Sequence, residues 1–261
     1  MLIRYPGSKD RQAARILRSL DLPKRKLCEP FSGTAAITFA CIRAGLVDQV
    51  WLNDKDRFVA DLWAAVRDYP EQLCDLVSTY EPVAESFYEL REQPLSDPLT
   101  NAFVTIVLHQ ISYSGLGRRA GSPIGGRNQT GSYGVGCRWN AVRLCAGIRE
   151  ASGLLNKVHA TITSVDWADC PDWTWYVDPP YVVAGASLYR EGVSPVSELS
   201  DHLFRKAEWW SLSIDDAPVV HDIFSWAHID YGGQTYLGSG RKKDGPRRTE
   251  LLITPCSPGL F

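Results

Sequence analysis

Asp178-Pro179-Pro180-Tyr181 closes the run Trp173-Thr174-Trp175-Tyr176-Val177, and these residue types suit chemistry on a planar amino group. The run is short, β-favouring and stopped by prolines, so it predicts a buried strand. Two prolines without backbone donors, each holding φ near about −65°, stiffen the chain beyond the strand. In an open α/β sheet, ligands collect beyond the carboxyl ends of the strands. A stiff tip there holds a carboxylate and a backbone carbonyl as two acceptors, with an aromatic ring beneath them. An amino group has two hydrogens to place on such acceptors, and its ring needs a stacking face. Taken alone, the tetrapeptide also reads as a strand ending in a proline turn.

Other segments resemble parts of a nucleotide site. Lys26-Leu27-Cys28-Glu29-Pro30-Phe31-Ser32-Gly33 reads as a strand entering a turn, and then a helix that ends near Gly45. Gly33 lets the backbone approach a ligand closely. The pattern is not GxGxxG, which argues against a dinucleotide. Val50-Trp51-Leu52-Asn53-Asp54 reads as a second strand with an acid at its end. Asp54 is placed to accept ribose hydroxyls or to cap the next helix, a task Asp56 can also take. Tyr5-Pro6-Gly7-Ser8-Lys9 reads as a turn offering N–H groups and an ammonium to an anion such as a carboxylate. Asp166-Trp167, past the strand Val158–Thr163, has the types to bind and cover an adenine ring, although Asp166 equally suits a turn cap.

Between the second and third strands lies a long interval. Residues 56–92 read as acidic amphipathic helix, and Phe103–Ile111 as a buried helix in which His109 is a packed histidine rather than a base. Ser114–Gly134 is rich in Gly, Ser and Arg, too long for an ordinary connection. Arg118, Arg119, Arg127, Asn128 and Gln129 within it suit phosphate and base-edge contacts. A helix from Arg138 to about Leu155 leads back to the sheet. After Tyr181, Val182–Ser197 reads as a lid and Ser200–Leu212 as a helix, with Trp209-Trp210 packing. Val219–Ile223 reads as a strand, and Gly238–Arg248 as a basic loop between strands Gln234–Leu237 and Glu250–Thr254. His221-Asp222 is a conceivable dyad, but no GxSxG nucleophile accompanies it.

Composition sets the outer bounds. The 261 residues are 44% hydrophobic and 22% charged, enough for one large or two small domains with a real core. No apolar run approaches the ~18 residues of a membrane span, and the first residues lack a signal-peptide core. Seven cysteines without CxxC spacing suggest reduced thiols, no zinc site and a cytoplasmic protein. Net charge is only −2, yet residues 98–149 carry six arginines and no acid, whereas 48–97 carry twelve acids against four bases. Segregation on that scale predicts a basic face set against an acidic one.

Taken in order, these motifs resemble the DNA adenine methylase (Dam) family, alpha-group enzymes that use S-adenosylmethionine, over nearly the whole chain. Tyr5 to Lys9 resembles the N-terminal cofactor motif, and Glu29-Pro30-Phe31-Ser32-Gly33 the family's EPFxG. Asp54 resembles the ribose-binding acid, Asp166 the acid near the cofactor adenine, and Asp178 to Tyr181 the catalytic DPPY. Gly238–Leu252, with Arg247, resembles the closing hairpin. The resemblance implies a Rossmann-like α/β methyltransferase sheet from residues 1–56 and 157–261. Residues 57–156 would form an inserted, mostly helical target-recognition domain carrying the Gly/Arg-rich loop.

It further implies that Asp178 and the Pro179 carbonyl accept the two hydrogens of adenine N6 and that Pro180 stiffens the tip. Tyr181 would stack on the flipped base. Tyr5, Lys9, Glu29, Phe31, Gly33, Asp54, Asp166 and Asp178 would hold S-adenosylmethionine, Lys9 near its carboxylate, with no metal. Arg118, Arg119, Arg127, Asn128 and Arg247 would contact double-stranded DNA, in a monomer of bacterial or phage-type setting. Ala35 stands where the family often has a second glycine, so the cofactor's methionine end is expected to sit differently or bind more weakly. Three other readings fit parts of the chain. They are an amino methyltransferase acting on RNA or cytosine, a non-catalytic DNA-binding regulator, and a small-molecule nucleotide enzyme.

Overall fold

The computed structural model describes residues 2–4, 9–181, 196–235 and 248–256. Tyr5, Arg247, the lid segment 182–195 and the basic loop up to residue 247 lie outside the described residues.

Among the described residues, seven strands form one sheet: β1 (Lys26–Glu29), β2 (Gln49–Asn53), β3 (His159–Thr163), β4 (Thr174–Val177), β5 (Trp210–Asp215), β6 (His228–Thr235) and β7 (Arg248–Thr254). Their order is β3-β2-β1-β4-β5-β7-β6. β1 to β5 run parallel, while β7 is antiparallel to both β5 and β6. This is an α/β doubly wound, Rossmann-like sheet. The order reverses between β1 and β4, which opens a crevice at their carboxyl ends where such sheets bind ligands.

Strand alternation assigns the two faces. Leu27, Val50, Leu52 and Tyr176 join a core with α1 (Ala13–Ser19), α2 (Ala36–Arg43), α3 (Arg57–Asp68), α4 (Pro70–Thr79) and α7 (Ala141–Leu155). Cys28, Trp175, Val177, Trp210 and Leu212 face the other way, onto α8 (Val196–Arg205) and α9 (Pro218–Ile223). Burying whole strands on both faces is what makes a parallel sheet stable. A third apolar cluster belongs to the long interval between β2 and β3. Phe87 of α5 (Ala84–Glu92) meets Val104, Val107, Leu108 and Ile111 of α6 (Pro98–Ile111), with Ala120 and Val135 from the Gly/Arg-rich segment. The opposite side of α6, at Ala102 and Ile106, packs into the sheet's own core. Asn101 of α6 also donates to Asp61 of α3 at 2.7 Å, which ties α6 to the helix that follows β2.

Two local expectations fail. Ser200–Leu212 is not one helix: α8 stops at Arg205, and Trp210–Asp215 is β5, every residue of it buried. Its serines are strand residues with inward partners: Ser213 bonds the Tyr176 hydroxyl at 2.8 Å, and Ser211 donates to the Ser19 carbonyl at 3.1 Å. Val219–Ile223 is not a strand but lies in α9, where Pro218 takes the first helical turn. Proline is favoured there because that N–H has no helical partner and its φ suits the helix. The strand expected at Gln234–Leu237 begins earlier, since β6 starts at His228.

Candidate active site

The crevice is built from the turns after β1, β2 and β4. After β4, buried Pro179 fixes the path of the chain, and Asp178 projects at the switch point. Lys9 comes to it from the other end of the sequence. Its ammonium lies 2.7 Å from both Asp178 carboxylate oxygens, 3.0 Å from Glu250 Oε1 and 3.0 Å from the Tyr181 hydroxyl. The Tyr181 hydroxyl donates to Glu250 Oε1, and Gln12 Nε2 donates to the other Glu250 oxygen. Side-chain exposure separates the members: 4% for Lys9 and 1% for Glu250, against 26% for Asp178. Within this set, the carboxylate of Asp178 is the one presented to the crevice.

The charges explain the titration. Burial works against the Lys9 charge, yet Asp178 and Glu250 hold its pKa above the ordinary lysine value. Burial pushes the Asp178 carboxyl up to about 6; Lys9 opposes this and Glu250 adds to it. Burial likewise raises Tyr181, so its hydroxyl stays protonated and donating.

The Lys9 ammonium, expected near the cofactor's carboxylate, bonds Asp178, Tyr181 and Glu250 here. The Tyr181 ring, expected as an open stacking face, is 9% exposed and anchored through its hydroxyl. Glu250 and Gln12 were not anticipated as site residues. The signal was an acid heading the apolar run Leu251-Leu252-Ile253.

Beside this cluster, the turn after β1 carries Gly33 at φ +42°, with open space where a side chain would stand. Its N–H donates to Asp54 Oδ2 at 3.0 Å, and the Asp56 N–H donates to Asp54 Oδ1 at 3.0 Å. Asp56 takes the helix cap, accepting from the Phe58 N–H, so Asp54 stays at the strand end. Burial pushes Asp54 up to about 6, its two N–H partners opposing. Ala35 sits at φ +51°, ψ +28°, the left-handed region that explains why glycine would suit this place. Among the described residues, the buried Ser32 hydroxyl has no hydrogen-bond partner. Phe31 is half-buried against the second core cluster.

Glu29 faces inward, 2% exposed, and accepts the Thr38 N–H at 2.6 Å in the first turn of α2. It supports the turn from beneath. Burial lifts it to about 8, with the Thr38 bonds opposing. A carboxyl raised in the folded state contributes stability that is full below its unfolded value of 4.5 and is lost as pH climbs to about 8. Urea unfolding of the wild type is expected to lose up to about 1.4 kcal/mol per pH unit through this proton midway between the two values, the slope falling off as pH approaches about 8. Glu29→Gln is expected to flatten that slope; an unchanged slope would show that Glu29 is not its source.

The remaining expected residues are scattered. Asp166 is exposed and caps the turn Trp167–Asp169 through the Ala168 N–H at 3.1 Å. Trp167 turns edge-on to His202, centroids 5.3 Å apart, and packs into the second core. The Arg118 guanidinium lies 4.1 Å over the Phe58 ring and donates to the Leu90 carbonyl at 3.2 Å, a fastener between the loop and two helices. Arg119 is exposed and close enough to Asp54 to oppose its rise. Arg127 is exposed and lies 4.7 Å over Tyr88, and Asn128 beside it is exposed. Gln129 is a loop brace: its amide donates to the Ile124 and Gly126 carbonyls and accepts the Val135 N–H. His221 pairs with Asp216 at 2.7 Å rather than with Asp222.

Among the described residues, no group of His, Cys, Asp and Glu could hold a metal ion, and no helix is long and apolar enough to cross a membrane. The sequence model of the D12 class N6 adenine-specific DNA methyltransferase family matches residues 5–135, half of the chain. No curated protein matches. Among solved structures, the chain is similar to the rRNA methyltransferase aviRa from Streptomyces viridochromogenes at 15% identity and a TM-score of 0.39, over 97% of this chain and 89% of that one.

Proposed function

Because this chain belongs to the D12 class of N6 adenine-specific DNA methyltransferases, we propose that Asp178, held by Lys9 at the mouth of β4, is the group that receives the adenine amino nitrogen. Membership carries the reaction: methyl transfer from S-adenosylmethionine to adenine N6 in DNA. The observation that supports the site is the buried Lys9 ammonium on both oxygens of a carboxylate that is itself open to the crevice.

Adenine's amino lone pair is delocalised into the ring and attacks poorly. Asp178 and the Pro179 carbonyl accept its two hydrogens, which favours a pyramidal nitrogen and stabilises the positive charge that develops on it. A carboxylate has about four lone-pair positions, so Asp178 can keep Lys9 and still take an amino hydrogen. The target base has to leave the helix to come this deep. S-adenosylmethionine, when bound, supplies the methyl group as an electrophile that needs no further activation.

The residues beside β1 and β2 fit such a cofactor. Gly33 leaves open space beside the turn, Ser32 has a buried hydroxyl with no hydrogen-bond partner among the described residues, and Asp54 has lone pairs beyond its two N–H partners for ribose hydroxyls. Tyr5, Phe31 and Asp166 complete the proposed cofactor set. Glu29 and Lys9 serve it indirectly, through the turn and through Asp178.

The insert, residues 57–156, is proposed to bind duplex DNA. Arg119, Arg127 and Asn128 are exposed for the purpose, and Arg247 joins them from its own segment. Arg118 braces the loop.

A labelled-methyl assay on unmethylated duplex DNA, followed by nucleoside analysis, is expected to yield N6-methyladenine. Label in RNA or in cytosine instead would overturn the assignment. The transfer rate should also fall as pH drops through about 6, because protonated Asp178 presents a donor where an acceptor is required. A single-turnover rate that stays flat from pH 5 to 8 would remove Asp178 from this role.

A further inference from the structure

His109 joins two segments that are far apart in sequence. It is 5% exposed, near the end of α6, and its Nδ1 lies 2.9 Å from the Arg4 carbonyl and 2.9 Å from the Gly115 carbonyl. Both neighbours are acceptors, so Nδ1 carries the proton and donates to the two together. Arg4 belongs to the N-terminal segment that leads, five residues later, to Lys9. Gly115 opens the Gly/Arg-rich loop that carries Arg118 and Arg119.

The contact is close on every side. A Cβ on Gly115 would stand 3.2 Å from Arg4 Cβ, and one on Gly117 would stand 2.7 Å from His109 Nε2. Gln110, the next residue of α6, donates to the Leu2 carbonyl at 2.8 Å, so α6 grips the N-terminal segment twice. Among the described residues, one imidazole proton bonds this loop and the N-terminal segment together.

We propose that His109 is a positioning residue that couples DNA engagement by the loop to the cofactor crevice. The inference rests on the reading of the chain as a DNA methyltransferase. A loop drawn onto DNA moves the Gly115 carbonyl, and His109 passes the change to the Arg4 carbonyl, five positions before Lys9 in the sequence. Coupling of this kind is reciprocal: DNA alters the affinity for the cofactor by the same factor as the cofactor alters that for DNA.

The test is binding of S-adenosylhomocysteine, measured by calorimetry with and without unmethylated duplex DNA. In the wild type the affinity is expected to change at least about fivefold when DNA is present. His109→Leu keeps bulk but has no N–H. It is expected to bring the factor below about twofold while the affinity without DNA stays within about threefold. His109→Asn restores an amide N–H near the Nδ1 position and is expected to recover most of the factor; a purely space-filling role would favour Leu over Asn. Should His109→Leu not fold, His109→Phe keeps an aromatic ring without the N–H and is expected to lower the factor in the same way. A wild type without coupling, or a Leu variant that keeps the full factor, overturns the proposal. A wild type that binds no DNA overturns the methyltransferase reading itself, and that failure is visible before any variant is made.

Discussion

Asp178→Ala is expected to lower methyl transfer by about a thousandfold or more, on the scale of losing a preorganised polar partner of the transition state. Binding of S-adenosylhomocysteine should change only a few-fold, because the proposed ribose and turn contacts at Asp54 and Gly33 remain. Asp178→Asn keeps one carbonyl acceptor and the shape of the side chain but removes the charge opposite Lys9. It should fall between wild type and alanine. Single-turnover transfer and equilibrium binding, measured on the same preparations, separate the two effects. If alanine abolished cofactor binding along with transfer, Asp178 would be holding the cofactor rather than the amino group.

The second large effect concerns stability as much as rate. Lys9→Met removes the cation from between Asp178 and Glu250, leaving two carboxylates facing each other in a largely closed space. Deleting one partner of a buried ion pair costs about 3–5 kcal/mol, so the variant should unfold at markedly lower urea concentration at pH 7. The deficit should shrink toward pH 5. Asp178, already at about 6 with Lys9 present, loses the group that opposed its rise and so protonates at a higher pH. For the same reason, any remaining activity should shift its acid limb upward in pH. A Lys9→Met protein with wild-type stability and an unmoved pH profile would mean that the ammonium is not the counter-ion of this site.

Parts of this arrangement were legible in the residues alone, for identifiable reasons. Asp178-Pro179-Pro180-Tyr181 announces a strand end because prolines punctuate locally, and Gly33 and Asp54 come after short apolar runs at the right interval. What escaped was long-range or periodicity-poor. Lys9 and Asp178 are 169 positions apart, so nothing local tells an ammonium that its partner is a carboxylate rather than a ligand. Arg118 has the composition of a phosphate contact, and only tertiary packing lays it over Phe58. The junction of α8 and β5 has no glycine or proline between Arg205 and Trp210, which let two elements read as one helix. Val219-Val220 favours a strand by residue type, yet Pro218 was the stronger, positional signal.

The place of β7 in the sheet has a consequence for biosynthesis. This strand is the last of the seven to be translated, yet it lies inside the sheet, hydrogen-bonded between β5 and β6. Until it arrives, β6 has nothing to pair with, and Glu250 is missing from beside Lys9 and Tyr181. A nascent chain therefore carries the whole insert well before its transfer centre is complete. Non-local pairings of this kind are slow to form. Competence to modify DNA thus waits for β7 to slot into place and deliver the final carboxylate.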